Sequence, residues 1–422
     1  MQKRALIFYI AILFIGGVLF RLTLVKFFPQ PFEFDQVEYE QFAKQIFNTS
    51  FYASPSRLYG YPLVISVIYK LFGIGNHEAL FIFQAILDSL TAVFVFLISK
   101  ELFSKYFPSL AAFILYLFNP YTSAYTGVGL SEIPVIFLIA VSFYLFILII
   151  KKKSIISLIL MGGVLGYLVQ VRPTFFYFSL LLLLYVILYI FWKNKKNISK
   201  LLFISAGVFI YILTFFYNII GNNLYFHQFS LLTVDNLTVS QFYISLYMEK
   251  SPLYAKSMFD FPVQVQNLLR EYSVLPKNAH ERKMMADKYM KVSIEKVNED
   301  LFAFLSSRIR RAGYVWEKKG IFYYKDPDIP YLYDISNSFN IGLIGIFIIG
   351  YYLYWKKIKT ENGESWKRHF MILSFIFVIY ITIVHTFTTI EERYSLPAYP
   401  IIMIFAGWGI YKALTIFGKN TN

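Results

Sequence analysis

Cysteine is absent from the 422 residues, so the fold relies on no disulfide and no thiolate metal site, and redox usage says nothing about compartment. Charge is sparse at 15% of residues, and acids are the rarer sign, 25 against 40 Lys and Arg. The five histidines show no HxxxH or HxxE spacing, so neither a metal site nor any other cofactor is expected. No P-loop or dinucleotide-binding glycine pattern occurs. Two-residue alternation over strand lengths is missing, which argues against a membrane β-barrel. Internal repeats and low-complexity segments are lacking as well.

What is abundant is apolar surface. Hydrophobic residues make up 57% of the chain and aromatics 20%, against roughly 45–50% apolar in soluble proteins. Apolar runs near the length that crosses a bilayer are expected at 5–25, 78–99, 108–126, 133–150, 155–171, 174–192, 201–220, 338–355, 370–388 and 396–415. The fold class is therefore an all-α polytopic membrane protein of about ten spans. Lys3 and Arg4 place the start of the chain inside. From there Lys100, Lys105, Lys151–Lys153, Lys193, Lys195, Lys196, Lys200, Lys356, Lys357, Lys359, Lys367, Arg368, Lys412 and Lys419 also fall inside. The net charge of +15 thus belongs to membrane orientation and to one hydrophilic segment, and no nucleic-acid partner is implied. The first span begins like a signal peptide, but no A-x-A cleavage site follows it, so it reads as an uncleaved anchor.

This division gives a membrane bundle over 1–220, an outer segment over 221–336 and C-terminal membrane helices over 337–422. The outer loop 26–77 carries Tyr39, Phe42, Ala43, Ile46 and Phe47 at helical spacing, the pattern of an amphipathic helix lying in the headgroup layer. A second short helix runs from Pro62 to Gly73. In the outer segment, Ile294, Val297, Leu301, Leu305 and Ile309 form a helical stripe.

Charged residues at the outer boundary carry the chemical content. Acids there are costly beside lipid and line polar cavities. Asp35 follows the first span, and Glu132 precedes the fourth. Asp35 reads either as a solvated charge beside Glu33 and Glu38 or as a site acid; Glu132 reads as a helix-start acid, a site acid, or both. Group transfer from a lipid-linked phosphate needs a carboxylate to orient and deprotonate the acceptor. It also needs fork-shaped cations for the phosphate, and Arg57, Arg172 and Arg393 are the candidates. For each arginine a plainer role stands beside this one: a solvated loop charge, a snorkelling side chain, or a salt bridge in Glu391-Glu392-Arg393-Tyr394. His385 reads as a buried histidine or a substrate contact. Asp88 lies mid-span one turn after Gln84, which favours a structural, hydrogen-bonded role.

Several short motifs then resemble one family, in order and on one side: Asp35 with Tyr39; Gly60-Tyr61-Pro62 through Leu71-Phe72-Gly73; Gln84 with Leu87-Asp88; Asn119-Pro120; Ser131-Glu132-Ile133-Pro134; Gly162-Gly163 and Gly166 before Arg172-Pro173; and Arg393-Tyr394-Ser395-Leu396-Pro397 with Pro400. The chain resembles the GT-C fold membrane glycosyltransferases, in particular the dolichyl-phosphate-mannose–protein mannosyltransferase group and its bacterial lipid-phosphate-sugar-dependent relatives. The resemblance implies a GT-C-like bundle and inverting transfer from a polyprenyl-phosphate sugar to a lipid, glycan or protein acceptor, at the extracytoplasmic face of a cell membrane. It implies Asp35 as base, Glu132 as a second acid of softer role, and the three arginines on the donor phosphate. Tyr39, Tyr61, His385 and Tyr394 are expected to touch substrate. Two other readings are carried forward. One is a surface-polysaccharide polymerase or ligase acting on a pyrophosphate-linked oligosaccharide, for which Arg308, Arg310 and Arg311 speak. The other is a transporter, supported by Asp88 alone.

Overall fold

A computed structural model describes residues 2–152, 154–193, 198–249, 260–273, 279–318, 320–360 and 364–417. Lys153, Lys195, Lys196 and Lys419, expected among the inner basic residues, lie outside the described residues. Among the described residues every regular element is helical. The chain is a multi-pass membrane protein: among the described residues, eight helices are long and apolar enough to cross a bilayer.

The first of these is α1 (Gln2–Phe27). Two shorter helices follow, α2 (Asp35–Thr49) and α3 (Gly60–Phe72), and then α4 (His77–Phe103). After α4 the chain makes α5 (Tyr106–Leu117), the single turn α6 (Pro120–Ala124), α7 (Glu132–Lys152), α8 (Ile155–Val171), α9 (Phe176–Lys193) and α10 (Ile198–Phe226). Four helices form the segment that follows: α11 (Leu237–Tyr247), α12 (Val263–Ser273), α13 (Ala279–Glu299) and α14 (Leu301–Tyr314). The chain returns through α15 (Leu332–Thr360), α16 (Ser365–Thr386) and α17 (Tyr399–Phe417).

Two of the ten expected spans are shorter than a bilayer crossing. The run 108–126 divides into the 12-residue α5 and the α6 turn, because Asn119-Pro120 opens a new helix whose Asn119 side chain caps Thr122. The run 155–171 is a helix of 17 residues. The short α5 packs against α4 and α17, burying Ala112, Phe113, Tyr116 and Leu117. The expected stripe from Ile294 to Ile309 is also divided. Asp300 accepts from the Ala303 N–H and caps α14, so Ile294 and Val297 belong to α13.

The two ends of the bundle differ in chemistry. Lys151 and Lys152 at the end of α7 bind Glu101 of α4. Lys151 also lies over Trp366 at the start of α16, and Lys105, Lys357 and Lys412 surround Tyr411 and Trp408 at the end of α17. Glu132 opens α7, about 30 Å away along a 21-residue helix. These lysines gather at one end of the bundle and the candidate site lies at the other.

Within the apolar bundle one charged pair is fully enclosed. Arg21 of α1 donates to Asp88 of α4 (Nε to Oδ2, 2.8 Å), and the Tyr116 hydroxyl donates to the second carboxylate oxygen at 2.6 Å. This matches the structural role expected of Asp88. Gln84 lies one turn away; its amide donates to the carbonyls of Thr126 and Val128 and fixes the turn before α7.

Candidate active site

Local sequence places each site residue. Phe34 precedes α2 with φ 52°, a left-handed backbone for a bulky residue, and Asp35 is the first helical residue. Such backbone conformations are costly and cluster at functional sites. Gln36, on the next position of α2, accepts from the Gly129 N–H at 2.6 Å and so holds α2 against the turn that carries Glu132. Gly60 packs against the backbone of Gln170 and Val171, where a Cβ would come within 2.4 Å. That close approach keeps the Arg57 loop beside the Arg172 step.

The charged side chains form one connected set. Arg57 binds Asp35 at 2.7 Å and Glu38 at 2.8 Å. Arg393 Nη2 binds the other Asp35 oxygen at 3.0 Å, and its Nε lies 3.4 Å from Glu132 and 2.5 Å from Glu391. Arg172 donates to Glu132 Oε1 at 2.9 Å. Three arginines therefore alternate with four carboxylates, and Arg393 joins the two acids expected from sequence.

The two acids differ in access. The Asp35 side chain is 32% exposed and that of Glu132 is 2% exposed. A molecule from solvent can reach the first and not the second. Glu132 Oε2 has no hydrogen-bond partner among the described residues. At Asp35, partial burial pushes the carboxyl up, and the charges and hydrogen bonds of Arg57 and Arg393 outweigh it, so the group is lowered from 3.8 to about 2.

Aromatic rings frame the charges. Tyr39 lies under the Arg57 guanidinium, 4.8 Å from its ring centroid. Tyr394 is held between Arg172 at 4.9 Å and the stacked ring of His385 at 4.3 Å, and its hydroxyl donates to Glu391. His385 is buried, with Nδ1 unpartnered among the described residues. Tyr61 departs from the expected substrate contact. It is fully enclosed, donates to Gln84 and meets Tyr39 edge-on, so it supports Tyr39 from below.

Several members were not expected from sequence. Glu38 and Glu391 complete the carboxylates. Tyr323 donates to Glu391, and Arg393 sits over its ring at 4.6 Å. Tyr324 donates to the Glu33 carbonyl, and the N–H groups of Tyr324 and Lys325 both donate to Gln30 Oε1 at 3.0 Å. The stretch before α15 thus folds across the Asp35 loop. Lys318 is buried and donates to Ser395 Oγ at 2.9 Å and to the Glu392 carbonyl, which fixes the turn bearing Arg393. Burial pulls this lysine down to about 8, against an opposing pull from Glu392. No sequence signal marks Glu38, Lys318, Tyr323 or Tyr324, because each reaches the site through a contact distant in the chain, whereas Glu391 pairs with Arg393 two residues away. Arg308, Arg310 and Arg311 take other partners: the buried Arg308 and Arg311 donate to backbone carbonyls, and the exposed Arg310 pairs with Glu249.

Comparison with known proteins bears on the fold and the family. Residues 59–223 match the family model described as dolichyl-phosphate-mannose-protein mannosyltransferase. No curated protein matches the chain. Among solved structures, the Archaeoglobus fulgidus oligosaccharyltransferase in its apo form superposes with TM-score 0.54 at 11% identity, over 97% of this chain and 52% of that one. Its complex with zinc and sulfate gives TM-score 0.53 at 12% identity, over 96% and 49%. The chain spans about half the length of these proteins. It shares its fold, the GT-C fold, with these proteins, and over residues 59–223 it is similar to the dolichyl-phosphate-mannose-protein mannosyltransferase family.

Proposed function

We propose that this protein is a glycosyltransferase that moves a sugar from a polyprenyl-phosphate donor to an acceptor at the extracytoplasmic face of a cell membrane, with inversion and with Asp35 as general base. The observation that carries the reading is the accessible Asp35 carboxylate between two guanidiniums, Arg57 and Arg393. The name of the matched family, which speaks of a lipid-phosphate-linked sugar, supports the donor class.

The acceptor hydroxyl or amine gives its proton to Asp35 and forms a bond to the anomeric carbon. The bond from that carbon to the phosphate oxygen breaks on the opposite face, and the phosphate leaves with the electron pair. Arg57 and Arg393 are placed to balance its charge, and the Arg172–Glu132 pair holds the Arg393 turn from behind. An acid held near 2 is a weak base. A donor phosphate that draws either guanidinium away from Asp35 raises its basicity in the complex that reacts. The acceptor lies open among lipid, glycan and protein. The contacts of Arg308, Arg310 and Arg311 lend no support to the polymerase or ligase reading, and the pairing of Asp88 lends none to a transporter.

The test is transfer of labelled sugar from a panel of polyprenyl-monophosphate sugars, in membranes bearing wild type, Asp35→Asn or Glu132→Gln. Asp35→Asn is expected to keep donor binding and to lose about 10²–10⁴-fold in rate, the range of general-base catalysis. Undiminished transfer by folded Asp35→Asn would remove it from the mechanism. Activity confined to pyrophosphate-linked oligosaccharide would replace the donor class.

A further inference from the structure

Helix α14 has its polarity arranged against the ordinary rule. It buries Arg308 and Arg311, at 6% and 1% exposure, and exposes Phe302 at 82% and Ile309 at 77%. At about 100° per residue the helix divides into three faces. Phe304, Arg308 and Arg311 share the face that docks on the protein. Leu301, Phe302, Leu305 and Ile309 lie together about 100° to one side and are exposed. Ala303, Ser306 and Arg310 lie to the other side. A helix with docked, apolar and polar faces spread around its circumference fits a boundary between two solvents.

Its height in the molecule is fixed. Arg308 Nη1 and Arg311 Nε donate to the Thr386 carbonyl at 3.0 and 3.1 Å, and Thr386 ends the apolar span Ser365–Thr386. Those carbonyls are the unsatisfied end of α16, so the buried arginines have partners without a carboxylate. Phe304 meets Phe387 at 6.0 Å between ring centroids. Phe387 continues the exposed row Phe375, Ile379 and Ile383 on α16, a row that faces lipid. The apolar flank of α14 therefore joins a lipid-facing surface at the level where the hydrocarbon ends.

We propose that α14 is an interfacial helix. Its Leu301–Phe302–Leu305–Ile309 face lies in the leaflet at the Asp35 end of the bundle, and its Ser306–Arg310 face lies in water. Continuity with α16 selects lipid over a second copy of the chain. The inference rests on the membrane character of α16 and not on the proposed activity.

The absence of cysteine makes the test direct. Single variants Phe302→Cys, Ile309→Cys, Ala303→Cys and Ser306→Cys of the full chain carry a nitroxide and are placed in nanodiscs of phosphatidylcholine and phosphatidylglycerol. All four positions lie on the surface of the helix, and Leu305→Cys provides a third apolar site. Collision with oxygen and with a water-soluble nickel chelate is then measured. Labels at 302 and 309 are expected to meet oxygen more often, and nickel several-fold less often, than labels at 303 and 306. Equal nickel access on both flanks would overturn the proposal. So would protection at 302 accompanied by dipolar broadening between labels, which would assign the face to a second copy.

Discussion

Asp35 and Glu132 are two carboxylates joined by one guanidinium, and access separates their roles. Glu132 is enclosed and holds Arg172 and Arg393, while Asp35 is open on one side. The lowering of Asp35 to about 2 has a direct consequence for acid stability. A depressed carboxyl contributes stability that is fully present above its ordinary value and lost as pH falls through the folded value. The difference in melting temperature between wild type and Asp35→Asn should therefore hold constant down to about pH 4 and shrink only toward about pH 2. A difference that closes near neutrality would show that the arginines do not hold this group. At this scale much of the site was legible: two acids and three arginines lay at the ends of apolar runs, where charge is expensive. Glu38 and Glu391 were not, since neighbouring acids in Glu33-Phe34-Asp35 and Glu391-Glu392 give no sign of which one turns inward. Tyr61 was misplaced because a motif fixes order along the chain and not depth.

Elements pack closely where glycine permits it. A Cβ on Gly162 would come 2.0 Å from the Gly207 carbonyl oxygen, and one on Gly166 would lie 2.5 Å from the Thr214 hydroxyl. Gly162 and Gly166 share one face of α8, so this is small-residue packing of α8 on α10. Gly163 points elsewhere, its Cβ meeting Ile210 at an ordinary 3.4 Å. Gly162→Val should cost about 1–3 kcal/mol or more through forced separation of the helices, read as a lowered melting temperature in detergent. Gly163→Ala should be nearly neutral, and a similar loss from both variants would refute the face assignment. The glycines were visible in the sequence, but the partner Gly207 was not. The membrane helices were likewise legible from apolar length, whereas helix ends, and α11 and α12 of the outer segment, were not. Asn119-Pro120 and Asp300 each cut an apolar pattern through capping, a local choice that periodicity does not register.

The bundle is polarised, with a lysine cluster at one end, the carboxylate–arginine set at the other, and the enclosed Arg21–Asp88 pair between. Asp88→Asn leaves the Arg21 guanidinium without a counter-charge in an apolar bundle. It should destabilise by about 3–5 kcal/mol in denaturant titration, whereas the joint change Arg21→Met with Asp88→Leu should recover most of the loss. A double variant no better than Asp88→Asn would argue that the pair matters for more than charge balance. Asp88 was legible as a structural acid; its partner Arg21 was not, since the pairing joins two helices 67 residues apart in the chain.

The Arg21–Asp88 pair also bears on how the chain is made. The two residues are 67 apart, which a ribosome covers in roughly 3–13 s. During that interval α1 exposes a charge to the membrane, at a cost below the roughly 2.5–3.5 kcal/mol of a helix-centre arginine on the translocon scale. Its place is provisional until α4 emerges and neutralises it. Asp35, Tyr39 and Arg57 all lie between the two partners in sequence, so the closing of this pair is also the step of biogenesis that ties off the loop carrying the site.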